Sequence, residues 1–270
     1  MTARSASGVP RYVRPRPDRV LGLRAPAWTV LIAVALVGLV ELLARSGAVS
    51  GTELVPVSEM LAGIAGLLVD PEFLVQNLLW TVGLIAVSFA LATVLGVGLA
   101  YTMWRARWWR RAAQPYLNVY YAVPTFALYP ILVVLFGTGA VPIVLLAVAF
   151  SSVVIAASAL TGFGSVAPSV NKLAASLRLR PGQYLRRVLL PSAAPDIAAG
   201  MKLGFVYALI GVLATEFILA TRGLGQFISH AYITFDAEEM YAGILFVCLF
   251  ALGANLGLSA LLNRFDWRRS

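Results

Sequence analysis

Apolar residues in this chain come in long uncharged runs, each of a length suited to crossing a bilayer. A spanning helix needs about 20 mainly apolar residues. Ala25 to Val40 carries no charge, and the run continues past Glu41 to Ala44. Phe73 to Trp104, Ala112 to Asn171 and Met240 to Asn263 are uncharged, and Leu203 to Thr221 holds only Glu216. The run from Ala112 is too long for one span. It divides at Phe136–Gly137–Thr138–Gly139–Ala140–Val141–Pro142, where glycines and a proline favour a turn. The pattern predicts an all-α polytopic membrane protein with six transmembrane helices, at about 26–44, 78–103, 117–136, 142–161, 203–221 and 241–262. Residues 1–25 form a basic tail and 264–270 a second tail. Residues 55–69 begin near Pro56 and place Met60, Leu61, Ile64, Leu67 and Leu68 at helical spacing. That stretch is too short to cross upright and is expected as an interfacial helix on the outer side.

Charge fixes the direction of threading. With six spans both ends lie on one side. Placed inside, the tails, residues 105–111 and the segment Lys172–Lys202 hold every Lys and Arg of the 21 except Arg45 and Arg222. The outer segments carry Glu53, Glu59, Asp70, Glu72, Asp236, Glu238 and Glu239 instead. This is the positive-inside distribution. It puts the N- and C-termini in the cytoplasm and the chain in the cell inner membrane. It also assigns the net charge of +9 to membrane orientation and lipid contact, not nucleic acid. The basic N-terminal region is long and lacks a small-residue cleavage site, so the first span is expected to stay uncleaved.

Candidate chemistry within the spans is sparse. Tyr121, Thr125 and Tyr129 recur at i, i+4, i+8 and share one face of the third span. Pro124 and Pro130 flank them and bend or open that helix. The stripe faces either a translocation pathway or neighbouring helices. Glu216 is the one carboxylate deep in the fifth span, where an acid faces the bundle interior or water. It is read as a pathway or gate residue or as half of an ion pair with Arg222. Cys248 is a lone thiol, His230 a lone histidine in the last outer loop, and neither suggests a metal or a cofactor. Trp104, Trp108 and Trp109 among Arg105, Arg107, Arg110 and Arg111 anchor the membrane interface. No G-x-x-x-x-G-K-[ST] loop occurs, so ATP is not bound by that route, and no paired carboxylates or Ser/His/Asp set supports an enzyme.

The segment 171–200 is long for a connection between spans. Leu173 and Leu177 lie i, i+4 on one short helix, and Tyr184, Leu185, Val188 and Leu189 give an apolar face to a second. Pro181–Gly182 separates them, and Arg178, Arg180, Arg186 and Arg187 keep the pair out of lipid. Such a cytoplasmic elbow suits docking by a partner or contact with anionic headgroups.

Arg178 to Pro195, RLRPGQYLRRVLLPSAAP, resembles the cytoplasmic coupling signature of binding-protein-dependent ABC import permeases. That signature reads Glu-Ala-Ala, then Gly, then Leu-Pro and a second Pro. Leu190–Pro191 and Pro195 match its end, and Ala174, Ser176 and Leu177 match parts of its start. Lys172 stands at the Glu position, Leu173 at the first Ala and Arg178 at the Gly. Ala122–Val123–Pro124, Ala127–Leu128–Tyr129–Pro130 and Phe136–Gly137–Thr138–Gly139 are similar to the third span of the nitrate/sulfonate/taurine-type branch. So are Ala214–Thr215–Glu216–Phe217 with Gly223–Leu224–Gly225, and Arg264–Phe265–Asp266–Trp267–Arg268, to its fifth span and tail. The resemblance implies a type I ABC importer permease fold. It also implies cytosolic ATPase subunits, an extracytoplasmic substrate-binding protein and a second permease subunit as partners. ATPase coupling would fall to Lys172, Leu173, Ala174, Leu177, Arg178, Tyr184, Leu185, Leu190 and Pro191. The pathway would carry a small anion such as a sulfonate, taurine or nitrate, or a vitamin precursor. An ion-coupled carrier or channel is the alternative, with Glu216 as its coupling charge.

Overall fold

A computed structural model describes residues 25–46, 54–120 and 125–264. The described residues form helices joined by short turns, and five of these helices are long and apolar enough to cross a membrane. The described residues divide into two compact units between Val57 and Ser58. The first holds α1 (Ala25–Arg45), an uninterrupted apolar helix. Its two charges neutralise one another: Arg45 Nε lies 2.6 Å from Glu41 Oε1, one turn away.

From its second residue onward, α2 (Val57–Val69) belongs to the second unit, and it buries Met60 and Ile64. A wide-turned π segment, Phe73–Leu79, leads into α3 (Trp80–Arg105). Phe73 meets Phe227 and Phe246 edge-on, with centroids 5.1 and 5.5 Å apart. Then follow α4 (Arg107–Tyr120), a 3₁₀ turn at Thr125–Leu128, and α5 (Tyr129–Phe136). The third apolar stretch is therefore divided. Pro130 sits in the first turn of α5, where its missing N–H costs nothing. The Arg/Trp cluster after α3, read from sequence as an interfacial anchor, is the start of α4, and Trp108 is 74% exposed.

Three helices make the core: α3, α6 (Ala140–Gly164) and α9 (Leu190–Leu219). They pack through small residues, since lipid provides no hydrophobic drive between spans. A side chain at Gly200 would meet Ser158, and one at Gly204 would meet Ile155. Ser151 Oγ donates to the Gly204 carbonyl at 2.7 Å, so the close approach also satisfies a buried hydroxyl. Between α6 and α9 lie α7 (Pro168–Ser176) and α8 (Pro181–Tyr184). The α8 turn is no free-standing helix. It runs through a π segment, Leu185–Leu189, directly into α9, which starts well before the predicted 203.

After α9 the residues read as a loop contain α10 (Leu224–Ile233), and α11 (Ala237–Arg264) closes the unit. Leu224, Phe227, Ile228 and Ala231 repeat at i, i+3, i+4, i+7, a helical signal overlooked beside the longer runs. Facing residues of α2 and α11 enclose a hollow of about 500 Å³, lined partly by Glu59, Asp70, Glu238 and Glu239.

Candidate coupling elbow and buried glutamate network

Two sites at opposite ends of the α3/α6/α9 core carry the sequence candidates. The first is the elbow. Helix α7 starts on Pro168 and ends where Leu177 N–H bonds the Leu173 carbonyl at 3.0 Å. The chain then reverses through Arg178, whose φ is 49°. This is the left-handed region, in which a side chain is strained and glycine is not. Arg178 occupies the position where the resembled signature has Gly, and the backbone there retains the conformation glycine favours. Its N–H still bonds the Ala175 carbonyl at 3.0 Å, and Leu179 N–H bonds that of Ala174 at 3.3 Å. Pro181 then opens the next helix, and Gln183 Oε1 accepts the Arg180 N–H at 3.0 Å.

The elbow is seated on the end of α3 by aromatic rings. Trp104 stacks on Tyr184 at 5.9 Å and 11°, and on Tyr101 at 6.2 Å and 23°. Tyr184 Oη donates to Asn171 Oδ1 at 2.6 Å, tying the two arms together. Ala174, Leu189 and Ala193 are buried beneath, with Tyr184, Leu185, Val188 and Leu190 packed against Phe163 and its neighbours. A hollow of about 350 Å³ lies beside the stack, lined by Tyr101, Trp104, Arg105, Asn171, Pro181 and Tyr184 among others. Leu173 and Leu177 are left out of this packing, at 60% and 63% exposure. Lys172, Arg178 and Pro191 are exposed too. The nine coupling candidates thus divide into an open group and a seated group.

The second site surrounds Glu216, which has no exposed surface. Burying a carboxyl costs several kcal/mol unless donors surround it. Thr81 Oγ1 lies 2.9 Å from both carboxyl oxygens and donates to them. Gly225 N–H donates to Oε2 at 3.1 Å. Thr81 Oγ1 in turn accepts the Leu224 N–H at 2.9 Å, and Asn77 Oδ1 accepts the Gly223 N–H at 3.2 Å. Asn77 and Thr81, one turn apart before and at the start of α3, thereby join Glu216 in capping the first amides of α10. An acidic group at that helix end also suits its dipole. Gly223, at φ 113°, lets the turn pass so close that a side chain there would strike the carboxyl.

Of the two readings of Glu216, the ion pair with Arg222 does not form. The Arg222 guanidinium lies over the Trp80 ring, 3.6 Å from its centroid. The partners of Glu216 come from α3 and the α10 turn, which sequence proximity does not reveal. Tyr129 is buried against Leu84, Ile143, Leu209 and Val212. Tyr121 and Pro124 lie outside the described residues; Thr125 begins the 3₁₀ turn. No cluster of metal-ligating side chains occurs among the described residues.

Residues 92–270 match the family model for the binding-protein-dependent transport system inner membrane component. The chain is 33% identical over 179 residues to the taurine transport system permease protein TauC of Escherichia coli (strain K12), covering 66% of this chain and 63% of that one. It therefore spans less than two thirds of that relative's length. Against the nitrate import permease protein NrtB of Leptolyngbya laminosa it is 26% identical, covering 94% of both chains. The fold is similar to a structure of the MetNI methionine ABC transporter in an inward-facing conformation, with TM-score 0.62 and 16% identity over 70% of this chain and 94% of that one. With the matched segment taking in α6, the elbow, α9, α10 and α11, the chain belongs to the binding-protein-dependent transport system inner membrane component family.

Proposed function

We propose that this chain is the membrane permease subunit of an ATP-driven importer and that its elbow docks a separate ATPase. The observation that carries the proposal is the division of the elbow. Tyr184, Leu185, Leu190 and Ala174 seat it rigidly on the bundle, while Leu173 and Leu177 stay open to a partner. Solvent-facing leucines on a structured protrusion favour an interface. Lys172 and Arg178 adjoin those leucines in the chain, and Pro191 is exposed as well.

In this reading the termini and elbow are cytoplasmic. Two permease subunits enclose the pathway, cytosolic ATPases grip the elbows, and a binding protein delivers solute to the opposite face. ATP-driven closure of the ATPases moves the elbows and shifts the bundle between its two access states. Hydrolysis belongs to the ATPase. The solute is a small anion of the sulfonate or nitrate kind, or a vitamin precursor; taurine and nitrate permeases among the relatives support the first class. The pathway residues of this reading are Tyr121 and Thr125, taken from the sequence of the broken third stretch. Tyr129 and Glu216 are buried within the bundle, so their part in the pathway is to support the helices that border it. Ion coupling gains nothing here, because Glu216 is bonded inside one subunit and has no exposed surface.

Paired Leu173→Asp and Leu177→Asp substitutions test the docking. The expected result is loss of ATPase co-purification and of ATP-dependent uptake, with the variant still in the membrane at wild-type abundance. Full retention of the ATPase by this variant contradicts the proposal.

A further inference from the structure

We infer that the ATPase face gripping the elbow is acidic, and that Lys172 and Arg178 each meet a carboxylate on it. This rests on the docking reading above and specifies the chemistry of the partner. From Pro168 to Leu190 the charged residues are Lys172, Arg178, Arg180, Arg186 and Arg187, with no Asp or Glu among them. All five are exposed, and none forms an ion pair with another described residue. The elbow thus presents two open leucines together with five exposed cations, the combination of apolar and charged residues found at protein interfaces. A partner basic at this place would be repelled, whereas an acidic one is steered and held in register.

The direction of Lys172 separates a protein partner from lipid. Ala174 is buried and lines the hollow beside Tyr101 and Trp104 at the end of α3. At 3.6 residues per turn, Lys172 lies about 160° around α7 from Ala174. Its side chain therefore points away from the bundle end, and so away from the bilayer the bundle crosses. Arg178 is fixed by a turn whose neighbouring amides are bonded and whose φ is 49°. The backbone carrying both cations is held by these bonds, so little loop ordering remains to be lost on docking, while the two exposed side chains are ordered only by the partner.

The test uses the full chain in phosphatidylcholine nanodiscs, with the ATPase that forms its complex, over about 50 to 500 mM NaCl. The inference predicts that wild-type affinity falls at least about tenfold across this range. Combined Lys172→Glu and Arg178→Glu substitutions are expected to weaken binding about tenfold at low salt and to flatten the salt response. A Lys in place of the facing ATPase carboxylate then restores binding to the Lys172→Glu chain. Because Lys172 is exposed, its single substitution serves as the variant that leaves the fold intact. Salt-independent binding, unchanged in the charge variants, overturns the acidic face. If Leu173→Asp with Leu177→Asp still releases the ATPase in that case, docking survives alone; if it does not, docking falls as well. Binding that is normal in the charge variants but requires phosphatidylglycerol in the discs assigns the cations to headgroups and also overturns the inference.

Discussion

Glu216 shows how a single buried group is made tolerable. Its carboxyl accepts from Thr81 Oγ1 and the Gly225 amide, and its own helix ends just beyond it at Leu219. Glu216→Ala leaves the Thr81 hydroxyl and the Gly225 amide without that acceptor and is expected to cost about 3 kcal/mol. Glu216→Gln keeps an acceptor oxygen and is expected to cost about 1 kcal/mol. Thermal unfolding of the purified chain in detergent, with both variants side by side, checks the order; equal losses would contradict the network. Arg178 makes the opposite prediction. Its left-handed backbone costs about 1 kcal/mol relative to glycine, so Arg178→Gly is expected to stabilise the chain by about that amount in the same assay. The special backbone at Arg178 was foreshadowed by the resemblance, which sets Arg178 where the signature has Gly, the residue that takes a positive φ freely. The partners of Glu216 were not, because Thr81 lies 135 positions away and bonding follows space, not order.

At the scale of elements, the long apolar runs translate into helices because a run without charges leaves no reason to stop. The errors fall where length gives way to local chemistry. The α4 helix was hidden by its Arg and Trp cluster, α10 by its position in a presumed loop, and the early start of α9 by Pro191, Pro195 and the charges at Asp196 and Lys202. A proline in the first helical turn is harmless, so Pro191 begins the helix that it seemed to forbid. The contact between α6 and α9 depends on missing side chains. Gly204→Leu drives atoms into Ile155 and is expected to destabilise the chain by about 2 kcal/mol. Gly98→Leu, with open space around it, is expected to change stability by less than about 0.5 kcal/mol. Unfolding of the isolated chain in detergent separates the two; similar behaviour of both would remove the close-packed seam from the account.

For the molecule as a whole, polarity organises everything. The cations of the elbow and of α4 gather at the end of the core where Trp104 stacks on Tyr184, and the carboxylates of α2 and the start of α11 line a hollow of their own. The family assignment agrees with this layout, and the sequence carried it through motifs of low individual specificity kept in order. Substrate identity was not legible, since no open polar pocket within the described core selects a solute. The account turns on which side of the membrane the elbow occupies, because an ATPase can grip it only from the cytoplasm. With Cys248→Ser as background, single Gln183→Cys and Glu238→Cys substitutions in intact cells give the direct measurement. A membrane-impermeant thiol reagent is predicted to label the chain carrying Glu238→Cys and to reach the one carrying Gln183→Cys only after the cells are opened. Labelling through Gln183→Cys from outside intact cells would contradict the account.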